Sequence, residues 1–188
     1  MGGRIAAGRE GRVALAWNGQ TFLPCPGVSP WDRGLRYGMS VFESFPVFEG
    51  EAHWLDRHVR RLLDAAEECG LRVPPGALDR AADAWRATGF SGFGRIYLTA
   101  GDESGDAGQL LLLGEPRERA TGPCRLRMDH RAWNPPFPGR KTGMYWANLL
   151  RRAEAAGHGA DDALLLGEGG IVVSAATANV FLRRGGEY

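Results

Sequence analysis

The stretch KTGMYWANLLRRAEAAGHGADDALLLGEGGIVVSAATANVF, residues 141–181, decides the fold. It offers one lysine, then a helix, a strand, a turn and a second strand. Tyr145, Leu149, Leu150 and Ala153 recur at helical spacing, which predicts an amphipathic helix over 142–156, stopped by Gly157. Residues 161–166 form a leucine-dense strand. Glu168-Gly169-Gly170 is a turn signal, and Ile171-Val172-Val173 is the return strand. This places Lys141 at the mouth of a helix. Such a lysine is ordinarily a solvated surface residue, and its cation sits badly beside the positive helix end. A desolvated lysine near positive charge has its pKa lowered from about 10.4, which frees a neutral amine for attack on a carbonyl.

Working back to the start, residues 12–17 alternate as a strand into Asn18-Gly19, a hairpin signal, with 20–23 returning. Asp32-Arg33-Gly34-Leu35-Arg36-Tyr37-Gly38 is a compact segment leading into a strand over 41–48 that carries Phe42 and Phe45. Glu49-Gly50 turns it onto a strand at 51–55. A helix follows over 56–69, with Asp56 as N-cap, Val59, Leu62, Leu63 and Ala66 inward, and Gly70 as its stop. Pro74-Pro75 separates it from a second helix at 78–87, with Leu78, Ala82 and Trp85 inward. Strands are expected at 95–100 and 109–113, joined by a polar loop at 101–108, and again at 124–130. The charged run ending in Thr121-Gly122-Pro123 is the candidate linker. Two units result: 11–117, a linker at 118–122, and 123–188, with Lys141 early in the second. The segment 133–140, with three prolines, is an irregular approach to Lys141.

Composition narrows the function classes. Of 188 residues, 44% are hydrophobic and 24% charged, an ordinary globular balance, and the net charge of +1 implies no general attraction to nucleic acid or an anionic membrane. No apolar run has the length of a membrane span, and residues 1–10 lack the apolar centre of a secretory signal, reading as a frayed lead-in. Cys25, Cys69 and Cys124 are odd in number and widely spaced, which suggests a reduced, cytoplasmic protein without disulfides or structural zinc. Gly89, Gly92 and Gly94 precede a strand rather than follow one, the wrong order for a phosphate loop. His53, His58, His130 and His158 form neither a metal-ligand cluster nor a Ser-His-Asp arrangement.

Taken in order, several segments resemble one family. They are Asn18-Gly19; Asp32-Arg33-Gly34 with Gly38 and Val41-Phe42-Glu43; Gly50; Leu55 with His58, Arg61 and Leu62; Lys141; Glu154-Ala155 and Gly157; residues 162–166; and Asn179-Val180-Phe181. The chain resembles the fold-type IV pyridoxal-phosphate enzymes. These are the class IV aminotransferases, such as branched-chain and D-amino-acid aminotransferases and 4-amino-4-deoxychorismate lyase. The resemblance implies an α+β, two-domain fold with a small N-terminal α/β domain and a larger C-terminal domain, incomplete here. It implies pyridoxal 5'-phosphate as cofactor, a small amino or keto acid as substrate, and a homodimer. Lys141 would be the lysine that forms the Schiff base and shuttles the proton. Arg61 would hold the cofactor phosphate, a role its guanidinium fork suits; on its own it reads as a solvated helix charge. Phe42 would line the substrate side, and Tyr145 would reach the phenolic oxygen. His58 reads as structural, and Glu43 as a hydrogen-bonding framework residue.

Two departures from the family pattern stand out. The residue opposite the pyridine nitrogen is usually glutamate, which keeps that nitrogen protonated, and here the position is Ser174, which can only hydrogen-bond. The sequence also stops at Tyr188, in what reads as the middle of a hairpin, before a phosphate-cradling segment that family members carry. The expected function is therefore a pyridoxal-phosphate-dependent aminotransferase or 4-amino-4-deoxychorismate lyase. The alternative is a non-catalytic or truncated relative that serves as a binding or dimerising module.

Overall fold

The structure is a computed structural model that describes residues 11–103, 108–117 and 121–187. The lead-in at 1–10, part of the 101–108 loop and part of the candidate linker lie outside the described residues. Two compact units emerge. Of the described residues, those between 11 and 117 form the first together with Arg140–Met144; residues 121–139 and 145–187 form the second.

The first unit begins with β1 (Val13–Trp17) and β2 (Phe22–Pro24). Trp17 faces Phe22, so the connection is a four-residue loop, not the two-residue turn that Asn18-Gly19 signals. The cause is local: Asn18 Oδ1 accepts from the amides of Gln20 and Thr21 at 3.0 and 2.9 Å and widens the turn. Helix α1 (Arg33–Tyr37) follows, capped by Asp32 and ended by Gly38 at φ 70°. Next come β3 (Ser40–Phe48), the two-residue β4 (Glu51–Ala52) and α2 (Leu55–Glu68). The residue preceding α2 is Trp54, in a left-handed conformation without a side-chain cap, so Asp56 lies inside the helix instead of capping it. Leu62, Ala65 and Ala66 are its buried residues, while Leu63 is exposed. A 3-10 turn at Leu78–Arg80 leads into α3 (Ala81–Thr88), whose buried face is Ala81, Ala84 and Trp85. The strands β5 (Gly92–Thr99) and β6 (Leu110–Glu115) complete the unit.

These strands form one antiparallel sheet in the order β2-β1-β6-β5-β3-β4. Period-2 alternation sends Val41, Phe45 and Val47 of β3 and Ile96 and Leu98 of β5 into one core with Leu62, Ala66 and Trp85 of the helices. The other parity, Phe42 on β3 and Arg95 and Tyr97 on β5, turns to the opposite face of the sheet.

The second unit holds β7 (Leu126–Ala132), α4 (Trp146–Gly157), β8 (Asp162–Leu166) and β9 (Val172–Ala175). β7 pairs with β8 in parallel and β9 with β8 antiparallel. α4 starts at Trp146, four residues later than the expected helix. Residues before it are drawn into extended pairing with β3, as described below. Its buried residue is Ala155, which packs with Ala163, Leu165 and Ala176; Leu149 and Leu150 are 51% and 48% exposed. Of the expected stripe, Tyr145 is half-buried, while Leu149, Leu150 and Ala153 are exposed, so the residue this helix buries, Ala155, lies outside the stripe. Ile171, Val172, Val173, Phe181 and Leu182 are also exposed.

Candidate active site

Lys141 is the only lysine in the 188 residues; every other member of the 23 Lys and Arg is arginine. It does not stand at a helix mouth. β4 covers the edge of β3 only at Val47 and Phe48, which leaves the N-terminal half of that edge open. Lys141, Thr142 and Gly143 fill it. The Phe42 amide donates to the Lys141 carbonyl at 2.9 Å, the Gly143 amide donates to the Ser40 carbonyl at 2.8 Å, and Thr142 bridges Val41 antiparallel. Residues directly opposite in an antiparallel pair share a face. Lys141 therefore sides with Phe42, and its Nζ lies 5.7 Å from the centre of the Phe42 ring.

Half-burial is the largest influence on this amine and pushes its pKa below the ordinary lysine value. The Glu43 carboxylate opposes that shift; the Arg61 and Arg95 guanidiniums reinforce it. Desolvation and nearby positive charge lower it as expected, but the positive charge comes from two arginine side chains instead of a helix end.

Residue 43 alternates with residue 42, so Glu43 turns to the side of β3 that carries α2. Its side chain is only 4% exposed and has two partners: His58 Nδ1 at 2.8 Å and Arg61 Nη2 at 3.1 Å. His58 and Arg61 stand three apart on α2, one turn of the same face. The Arg61 side chain is 52% exposed, and its one carboxylate partner among the described residues is Glu43. Guanidinium donors remain for an anion. One unit thus holds four of the expected residues, Lys141 and Phe42 on one face of β3 and Glu43 and Arg61 on the side of α2, with His58 as the second partner of the carboxylate.

Tyr145 and Ser174 belong to the second unit. The Tyr145 hydroxyl donates to the Ala176 carbonyl at 3.1 Å, and the Asn148 amide donates to the same oxygen at 2.9 Å. Ser174 pairs with Leu165 across β8 and β9 and is half-buried.

Sequence reading missed Arg95 and Tyr97. Their signal was present in the alternation Arg95-Ile96-Tyr97-Leu98, which gives one face of β5 to the core and the other to these two residues. The Tyr97 ring stacks on Phe42, with centroids 5.6 Å apart and planes within 10°. Among the described residues no helix is long and apolar enough to cross a membrane, and no group of His, Cys, Asp and Glu could hold a metal ion.

The donor set of the first unit fits pyridoxal phosphate: an amine with a lowered pKa suits an aldehyde, and a half-exposed guanidinium suits a phosphate. Comparison with known proteins agrees. A Methanocaldococcus jannaschii protein named as a branched-chain-amino-acid aminotransferase is 28% identical over 180 residues, covering 85% of this chain and 61% of its own length. The crystal structure of the branched-chain amino acid aminotransferase of T.th., with pyridoxamine 5'-phosphate, superposes with a TM-score of 0.73 at 26% identity, over 86% of this chain and 62% of that one. A Legionella pneumophila protein named as a 4-amino-4-deoxychorismate lyase shares the fold, with a TM-score of 0.77 at 22% identity over 86% of this chain and 64% of the other. The chain thus spans about three fifths of the length of the relatives it matches. The Amino-transferase class IV profile matches residues 40–188, from the first residue of β3 through Arg61 and Lys141, and a match of that extent makes this chain a member of the class IV aminotransferases, the fold-type IV pyridoxal-phosphate enzymes.

Proposed function

We propose that this chain acts as a pyridoxal-phosphate-dependent aminotransferase or 4-amino-4-deoxychorismate lyase on a small amino-acid-like substrate. The observation that carries the reading is the single lysine, its amine half-buried over Phe42 and depressed in pKa by burial, Arg61 and Arg95. Lys141 would bond the cofactor's aldehyde, and Arg61 would hold its phosphate. When bound, the cofactor supplies an electron-accepting ring that stabilises negative charge at the substrate Cα. The Lys141 Nζ, released neutral, takes a proton from the substrate Cα and returns it elsewhere on the reacting skeleton. Phe42 supplies an apolar wall beside that amine and keeps water from it. Tyr145 and Ser174 are the candidates for the phenolic oxygen and the ring nitrogen. Ser174 offers a hydroxyl where a carboxylate would hold a proton, so transamination should be slow. Aminotransferase and lyase share the proton abstraction and differ in what leaves afterwards, which depends on the shape of the pocket.

The test is to mix the chain with pyridoxal phosphate, reduce with borohydride and locate the added mass. An adduct on Lys141, absent from Lys141→Ala and weakened by Arg61→Met, supports the reading. A folded chain that takes up no cofactor refutes it. Ser174 and the exposed apolar residues Val172, Val173, Phe181 and Leu182 favour the second reading, a non-catalytic relative that binds or dimerises. That reading expects self-association without cofactor uptake. A homodimer located in the cytoplasm is part of the enzyme proposal, tested by light scattering and cell fractionation.

A further inference from the structure

The segment that carries Lys141 is held to β3 by the two backbone hydrogen bonds at Phe42 and Gly143. Two such bonds fix the strap's register but not the height of an amine at the end of a flexible four-carbon stem. Tyr97 reaches the strap at both ends. Its ring stacks on Phe42, whose ring faces the Lys141 amine. Its hydroxyl accepts a hydrogen bond from Ser40 Oγ at 2.9 Å. That hydroxyl pair lies against Gly143: a Cβ added there would fall 2.0 Å from Ser40 Oγ, 2.8 Å from the Tyr97 hydroxyl and 3.0 Å from the Gly38 carbonyl. Gly143 is therefore the strap residue on which the pair closes, and only a residue without a side chain fits there.

We infer that Tyr97 is a positioning residue for Lys141. Its ring sets the level of Phe42 beneath the amine, and its hydroxyl, with that of Ser40, seats the strap at Gly143. This rests on the reading of Lys141 as the cofactor-bonding amine, but it concerns how the amine is held and is tested without cofactor. Removing the Tyr97 ring lets Phe42 settle into the vacated space and admits water under the amine. The charged groups that act on that amine are Glu43 on β3, Arg61 on α2 and Arg95 on β5. Tyr97→Leu changes none of them, so any movement in the amine's titration reports its shelter.

The experiment is competitive acetylation of the full chain across neutral to alkaline pH, read by peptide mass spectrometry. With one lysine, Lys141 is compared directly with the terminal amine. In Tyr97→Leu the midpoint of the Lys141 profile should rise by about one unit, a tenfold fall in neutral amine at neutral pH. Tyr97→Phe keeps the ring and removes the hydroxyl. It should leave the midpoint in place while hydrogen exchange at the Gly143 and Phe42 amides quickens at least severalfold. A folded Tyr97→Leu protein whose Lys141 titrates as in the parent overturns the inference. Should that variant not fold, unchanged exchange at Gly143 in Tyr97→Phe overturns it alone. A parent chain whose Lys141 titrates like an ordinary lysine instead sinks the proposed function, so the two failures are told apart.

Discussion

Glu43→Gln is the substitution that most directly probes how Arg61 is held. The carboxylate is almost fully buried and meets His58 at 2.8 Å and Arg61 at 3.1 Å. A hydrogen bond to a charged group contributes about 1.5–3 kcal/mol. The Arg61 side chain is half in water, so loss of that contact should cost only the surface-pair amount of about 0–1 kcal/mol. The His58 contact is sheltered on both sides, and a glutamine oxygen can still accept there in weakened form. The net loss should be about 2 kcal/mol. For a unit of this size that is a fall of about 10 °C in Tm, at roughly 4–8 °C per kcal/mol. Urea unfolding should show the midpoint falling with an unchanged slope, since the surface exposed on unfolding is the same. A separate measurement on Arg61→Met should give a loss below about 1 kcal/mol, because that pair is half in water and His58 still holds the carboxylate. An Arg61→Met loss equal to that of Glu43→Gln, or no midpoint change in Glu43→Gln, would refute the account of Glu43 as a buried carboxylate held mainly by His58.

Three further outcomes follow from the same geometry. The folded Lys141 amine has a pKa below its ordinary 10.5, so between the two values the unfolded chain binds more protons and stability rises with pH; Lys141→Met should be the more stable protein at pH 7 and lose that advantage as pH nears 10.5, measured by urea midpoints at both ends. In the second unit, the Arg131 guanidinium first, and Arg151 with it, hold the Asp129 carboxyl well below the usual carboxylate range. That stability is present above the ordinary value of 3.8 and disappears as pH falls below it, so Arg151→Met should start acid unfolding at a higher pH, read by circular dichroism. Gly50 has φ 84°, and a Cβ there would lie 2.8 Å from Arg86 Cα, so Gly50→Ala should cost at least the 1–3 kcal/mol or so of an overpacked site, read as a lower urea midpoint.

How far the sequence could be read depended on the distance over which each feature is decided. β3 and α2 were legible because their alternation and helical spacing lie within the segments themselves. The inward residues of α2 were legible except at Leu63, which is exposed where Ala65 is buried. The site was legible as a set of residue types in order, Arg61 and then Lys141. What was hidden is non-local. Residues 141–143 pair with residues about a hundred positions earlier, and the open edge of β3 wins over the helical spacing that begins at 142. Nothing near Gly143 announces that its missing side chain makes room for Ser40 and Tyr97. Tyr97 itself was visible only as one of several residues on the non-core face of β5. Its importance appears when Phe42 is found stacked on it.

The change from a helix mouth to a β-edge strap alters the physics of the amine. A helix terminus would act on Lys141 through partial charges, an influence that salt screens and that fades within a turn. The strap acts chiefly by shelter, which Glu43 opposes and Arg61 and Arg95 reinforce. Salt at 0.15 M screens exposed charges beyond about 8 Å, so the share owed to half-exposed Arg61 weakens with ionic strength. The share owed to burial does not, because it reflects the water the amine has lost. Control of that amine therefore rests more on the fit of Phe42, Tyr97, Ser40 and Gly143 than on neighbouring charge. A neutral substitution that loosens this packing should alter the amine more than removal of either arginine.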